Sequence, residues 1–223
     1  SNTDAKLYVD SYTKLIGLRY PRFEGPLPYT LSKQQYDDGV LSCGYAVTDK
    51  ADGERFLLSI RDDAGAVLIP RSKTIASDLR FIGSFPKTIR NSIFDGELVG
   101  RRYMAFDCLV YKGKDVRKLT LPERLDFIKE ALHAFDRPKS APLPGKKVHA
   151  SLKPRKVMSE PSRKSQHIDI VMSMKHFHFD VFQDAKKIWE RRSKLPYDLD
   201  GLIFNPVNAP YFNKSIYKWK PED

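Results

Sequence analysis

Residues 48–58 read TDKADGERFLL, so Lys50 and Arg55 flank an Asp52-Gly53 pair directly ahead of an apolar run. Asp-Gly is a common turn dipeptide, and the stretch is either an ordinary surface turn or a turn presenting a nucleophilic lysine beside an arginine that holds its substrate. Four later segments carry further polar groups. FDGE at 94–97 brings Glu97, FDCLVY at 106–111 brings Phe106 and Asp107, DGLIF at 200–204 brings Asp200, and YKWKP at 217–221 brings Lys218 and Lys220. Each segment is strand-like, so each can aim its polar group into a shared cleft. Any one of these motifs is common; their order and combined chemistry are much more specific.

The residue types also allow plainer roles. Glu97 fits a strand-end acid in a hairpin whose turn is Asp95-Gly96, and Asp200 fits a turn aspartate before Gly201. Phe106 fits a core side chain or a platform whose π-face stacks on a base without telling guanine from adenine. Asp107, next to it, is expected on the opposite face, bracing the site. In a strand Lys218 and Lys220 face one side and Trp219 the other; the two ammonium groups repel unless an anion lies between them. Arg71, after the apolar AVLIP run, is a weaker candidate for a phosphate or ribose contact, and Lys175 in MSMKHFHF a further candidate phosphate ligand.

Composition narrows the partner. With 39 Lys and Arg against 28 Asp and Glu, the net charge of +11 favours a polyanion such as RNA, DNA or a nucleoside triphosphate and counts against an acidic interaction module. No apolar run approaches the roughly 18 residues that span a bilayer, so no membrane partner is expected, and Ser1-Asn2 has no signal-peptide shape. Cys43 and Cys108 are far apart and fit no metal-ligand spacing, which points to a reducing compartment. The five histidines contain nothing like HExxH, although His176 and His178 alternate in a strand-like run. Any metal is therefore expected on carboxylates and phosphate oxygens, as Mg²⁺ or Mn²⁺.

The elements that must position these groups are mostly strands. Residues 1–40 combine short helical patterns with the Pro-rich YPRFEGPLPYTLSK, and are expected to form an extended approach to the core. Strands are expected at 43–48, 55–61, 66–70, 93–99 and 102–111, the first two joined through DKADGE. The pattern then turns helical over 119–135, with Pro122 in the first turn. From 137 to 167 periodicity is lost and nine basic residues (Arg137, Lys139, Lys146, Lys147, Lys153, Arg155, Lys156, Arg163, Lys164) face Glu160 alone. That insert is expected to be solvated and mobile, an electrostatic contact for RNA phosphates, or both. Strand and helix patterns resume at 170–179 and 184–193, and two strands close the chain. Strands that follow one another directly predict an α+β fold with antiparallel sheets.

The ordered set resembles the covalent nucleotidyltransferase superfamily, which holds mRNA capping guanylyltransferases and the ATP- and NAD-dependent polynucleotide ligases. The resemblance spans residues 50–220, and FDCLVYKGKDV with DGLIF and KWKP is similar to the capping branch. It implies one antiparallel-sheet nucleotidyltransferase domain over residues 1–223, with a nucleotide cleft between sheets and without the C-terminal OB-fold lid that normally follows KWKP. It implies that Lys50 attacks GTP to form a lysyl-N–GMP phosphoamide, and that GMP passes to a 5′-diphosphate RNA. Arg55 matches the ribose contact, Glu97 the carboxylate that binds ribose or supports the metal, Phe106 the stacking aromatic, Asp200 the carboxylate that holds Mg²⁺ or orients Lys50, and Lys218 and Lys220 the α-phosphate ligands. The implied partners are GTP, RNA, the lid, and triphosphatase or methyltransferase modules of a larger polypeptide. The implied location is intracellular: nuclear for a cellular protein, cytoplasm or virion for one from a large DNA virus. An ATP-dependent ligase adenylation domain, or a silent RNA-binding module keeping the fold, are the alternatives.

Overall fold

The computed structural model describes residues 2–135, 155–156 and 167–222, so most of the basic 137–167 stretch lies outside the described residues. The chain opens with α1 (Asn2–Ile16), then β1 (Tyr29–Thr30), α2 (Lys33–Asp37), β2 (Tyr45–Ala51), β3 (Glu54–Ile60) and β4 (Ala66–Pro70). Next come α3 (Ile75–Asp78), β5 (Arg80–Ile82), β6 (Ser92–Val99), β7 (Arg102–Tyr111), β8 (Lys114–Asp115) and α4 (Leu121–Ala134). The short β9 (Arg155–Lys156) and β10 (His167–Ile168), then β11 (Val171–Met174), α5 (Val181–Glu190), β12 (Leu199–Pro206) and β13 (Tyr217–Trp219) complete it.

Two sheets result. The smaller runs β1-β13-β12-β2; the larger runs β10-β5-β4-β3-β6-β7-β11-β9, with β8 paired to β7. Antiparallel pairing dominates, while β1 joins β13, β10 joins β5 and β11 joins β7 in parallel. RFLLSI and AVLIP read as near-continuous apolar runs because the large sheet is covered on both faces. Phe56, Leu58, Ile60 and Leu68 pack with Leu125, Ile128 and Leu132 of α4, whereas Leu57, Val67 and Ile69 pack with Val9, Tyr12 and Ile16 of α1.

One local expectation changes. Residues 1–40 are not mainly an extended approach: α1 buries Val9, Tyr12 and Ile16 on one stripe, and Gly17 at φ 76° closes it. The two strands expected on either side of Asp52-Gly53 are present, and they lie in different sheets. β2 pairs with β12 in the small sheet and β3 with β4 and β6 in the large one, so the turn is the junction where the chain changes sheets. Gly53 is needed there, since a Cβ would lie 2.6 Å from the Leu98 carbonyl oxygen.

Candidate active-site cleft

The two sheets diverge from that junction and enclose a cleft of about 400 Å³. Lys50 enters it from the last turn of pleat in β2, where it is paired with Gly201 of β12. It is strand-borne rather than turn-borne, which leaves its stem little freedom. Its Nζ donates to both oxygens of Asp200, at 2.8 and 3.0 Å, with the two side chains only 21% and 34% exposed. A Cβ on Gly201 would run into the Trp219 carbonyl, so glycine lets β13 close against β12 and bring Lys218 to the cleft wall.

The large sheet supplies the floor. In β3, Arg55 donates through Nε and Nη2 to Asp95 at 3.1 and 2.6 Å and through Nη1 to the Pro26 carbonyl at 2.6 Å. Burial works against the guanidinium charge, but the field of Asp95 and its hydrogen bonds outweigh burial and raise the Arg55 pKa. Glu97, opposite Arg55 in the ladder, accepts from Lys175 Nζ at 2.9 Å. Lys175 is 4% exposed; it also donates to the Asp49 carbonyl at 3.0 Å and lies 5.3 Å from the Phe106 ring centre. Buried between Glu97 and Asp49, this ammonium holds two carboxylates in place. Tyr197 caps the other oxygen of Asp49 at 2.6 Å, and burial first, then Asp49, pushes its phenol pKa up.

Phe106 owes its place to an irregularity. The β6–β7 register passes from Asp95↔Asp107 to Gly96↔Ala105, so Phe106 is the extra residue of a bulge. The bulge puts Phe106 and Asp107 both on the cleft lining, where simple alternation places Asp107 on the far face. Behind it Asp107 accepts from Arg124 Nε and Nη2 at 2.7 and 3.2 Å and from the Cys108 N–H at 2.8 Å. Burial nevertheless raises the Asp107 pKa against these partners.

The structure thus brings Lys50, Arg55, Arg71, Glu97, Phe106 and Lys218 around one cleft, with Asp200 attached through Lys50. Lys220 follows the end of β13 and is not among the lining residues. Sequence reasoning gave no role to Asp95 or Tyr211, which also line the cleft. Asp95 had a faint signal, an acid inside a strand pattern; Tyr211, in a Pro-Asn-rich loop, had none. His176 and His178 lie side by side with ring centres 6.4 Å apart and tilted by 36°, and burial followed by His178 lowers the His176 pKa. Among the described residues no group of three metal-ligating side chains converges. Asp200 and Glu97 each offer hard oxygens, but each already faces an ammonium. Such a donor set suits an ion like Mg²⁺ that keeps water and takes its other ligands from substrate phosphates.

A strand-borne lysine paired to a carboxylate, beside an arginine, a buried lysine–glutamate pair and an aromatic wall, has the parts of a nucleotidyltransferase catalytic domain. The chain belongs to the family described as mRNA capping enzyme, catalytic domain, whose model matches residues 1–222. It is 27% identical over 230 residues to the mRNA-capping enzyme subunit alpha of Saccharomyces cerevisiae, covering 90% of this chain and 46% of that protein. It is also 27% identical over 217 residues to the probable mRNA-capping enzyme of Acanthamoeba polyphaga mimivirus, covering 79% of this chain and 18% of that one. For the mRNA-capping enzyme of African swine fever virus the identity is 24% over 202 residues, covering 88% and 19%. The chain therefore spans less than half the length of these curated relatives. Similar solved structures include mycobacterial DNA ligase D complexed with ATP and MES, at TM-score 0.48 and 14% identity, covering 89% of this chain and 62% of that one.

Proposed function

We propose that this domain is an mRNA 5′-cap guanylyltransferase acting through a covalent lysyl-N–GMP intermediate. The observation that carries the reading is the Lys50–Asp200 pair, 2.8 Å long, at the mouth of a cleft lined by Arg55, Glu97, Phe106 and Lys218. An ammonium has no lone pair, so Lys50 must first release a proton, and Asp200 is the group placed to hold it. The amine then attacks the α-phosphorus of GTP: the N–P bond forms, the α–β anhydride bond breaks and pyrophosphate leaves. In the second step a terminal phosphate oxygen of 5′-diphosphate RNA attacks the same phosphorus, the N–P bond breaks, and Lys50 recovers its proton.

Other side chains divide the binding work. Phe106 stacks on the purine, Arg55 and Glu97 hold the ribose, and Lys218 with Arg71 neutralises phosphate charge as pyrophosphate departs. Lys220 joins them if β13 extends on nucleotide binding. Asp200 and Glu97 would hold Mg²⁺ or Mn²⁺, which supplies further neutralisation of the phosphates. A closing OB-fold lid, triphosphatase or methyltransferase modules, and an intracellular reducing location belong to the same proposal. The relatives are all more than twice as long as this chain, which leaves room for such parts. Closure excludes water and meets the leaving group, so a form carrying such a lid is expected to label itself faster than residues 1–223 by themselves.

The test is transfer. The protein is incubated with Mg²⁺, either GTP or ATP labelled at the α-phosphate, and either 5′-diphosphate or 5′-monophosphate RNA. Capped product from GTP and the diphosphate RNA alone supports the reading. Product only with ATP and 5′-monophosphate RNA moves the domain to the ligases, and self-labelling as fast as in a longer form overturns the need for a lid.

A further inference from the structure

Tyr211 belongs to none of the motif segments, yet it links the two walls of the cleft. It sits in the loop between β12 and β13 of the small sheet, while its ring is buried among Tyr12, Leu57 and Leu109 against the large sheet. Its hydroxyl donates to Asp95 Oδ2 at 2.7 Å, the same oxygen that takes Arg55 Nη2 at 2.6 Å. The Glu24 carbonyl, at 3.4 Å, is a poor second acceptor, so the single phenol proton goes to the carboxylate. Asp95 is fully buried, and its described partners are only Arg55 and this hydroxyl.

The surroundings leave little slack. A Cβ on Gly25 would lie 2.8 Å from Arg55 Nη2 and 2.9 Å from the Tyr211 hydroxyl, so the Pro-rich strap presses on both. The loop is itself anchored: Tyr211 N–H donates to the Arg117 carbonyl at 2.8 Å, and Arg124 Nη1 donates to the Ala209 carbonyl at 2.9 Å. Arg55 spends Nε, one Nη2 proton and one Nη1 proton on Asp95 and Pro26, which leaves its remaining N–H groups for a ligand in the cleft.

We propose that Tyr211 is a positioning residue for nucleotide binding, fixing through Asp95 the angle at which Arg55 meets the ligand and pinning the small-sheet loop to the large-sheet floor. This rests on the reading of the cleft as a GTP site. A hydroxyl that merely stabilised the core would be interchangeable with that of Tyr103, another buried tyrosine, which donates to the Phe56 carbonyl at 2.9 Å. Tyr211 differs because its partner is the carboxylate that orients Arg55.

The experiment compares Tyr211→Phe with Tyr103→Phe by two readouts: solvent exchange of the Arg55 Nε–H in the nucleotide-free protein by ¹⁵N NMR, and the dissociation constant for GTP by calorimetry. Tyr211→Phe is expected to speed the exchange and weaken GTP binding about ten-fold, the factor for one hydrogen bond to a charged group. Tyr103→Phe is expected to lower thermal stability while leaving both readouts within about two-fold, since its hydroxyl bonds backbone carbonyls and not the Asp95 carboxylate that orients Arg55. In an Arg55→Lys background, Tyr211→Phe should weaken GTP binding no further. Unchanged Arg55 exchange in Tyr211→Phe, or equal loss of GTP affinity in both variants, overturns the proposal. If the unmodified protein binds no GTP, the functional reading fails, and the exchange readout by itself decides whether Tyr211 positions Arg55.

Discussion

Replacing Arg124 with methionine tests how the cleft wall is held. Arg124 is 2% exposed, makes both side-chain bonds to Asp107, and donates Nη1 to the Leu119 and Ala209 carbonyls at 2.6 and 2.9 Å. Methionine fills much of the volume but leaves Asp107 with the Cys108 N–H as its one remaining described donor. Stranding a buried carboxylate in this way costs about 3–5 kcal/mol. For a domain of this size that corresponds to roughly 6–20 °C in melting temperature. The loss should depend on pH with a definite sign. The folded-state pKa of Asp107 is already raised, by burial first, so the folded state binds its proton more tightly than the unfolded chain and stability falls as pH rises above the unfolded value. Removing Arg124 takes away the main cause that lowers this pKa and extends the window upward. Urea unfolding at pH 8 and pH 5.5 should therefore show a larger loss at pH 8, and adding Asp107→Asn should recover part of it. An equal loss at both pH values, or a loss below about 1 kcal/mol, would refute the reasoning.

Gly201→Ala should cost about 1–3 kcal/mol, because the methyl meets the Trp219 carbonyl and must push β13 from β12; it should weaken GTP binding in calorimetry as Lys218 moves away. Phe106→Ala should cost about 1–3 kcal/mol of nucleotide affinity, equally for GTP and ATP, and a base-selective loss would contradict a pure stacking role. Lys175→Met should destabilise the fold by about 3–5 kcal/mol in urea unfolding, since Glu97 and Asp49 lose the ammonium between them, and Glu97→Gln should restore part of the loss. Deleting residues 137–166 should lower RNA affinity and flatten its dependence on salt while leaving GTP affinity unchanged.

Much of this architecture could be seen in the residues. β7 runs over 102–111, where the strand-like run places it, and α4 starts beside Pro122 with Thr120 and Glu123 forming a capping box. The cleft lysine, arginine, glutamate and aromatic were visible because their motifs keep a fixed order along the chain. What stayed hidden is three-dimensional. That Asp52-Gly53 changes sheets depends on β2 finding β12, a partner some 150 residues away, as the Lys50–Asp200 separation measures. The Phe106 bulge breaks alternation without any glycine to announce it. α1 was hidden because its apolar stripe is short, and Tyr211 because nothing near it in sequence hints at Asp95.

The central claim is that Lys50 forms a bond to GMP, and intact-mass analysis tests it most directly. The protein and its Lys50→Ala variant are each incubated with Mg²⁺ and either GTP or ATP. The claim predicts a mass gain of one GMP on the unmodified protein with GTP, and none on the variant. An adduct that survives in Lys50→Ala, an AMP adduct in place of GMP, or no adduct even in a longer form carrying the lid would contradict it.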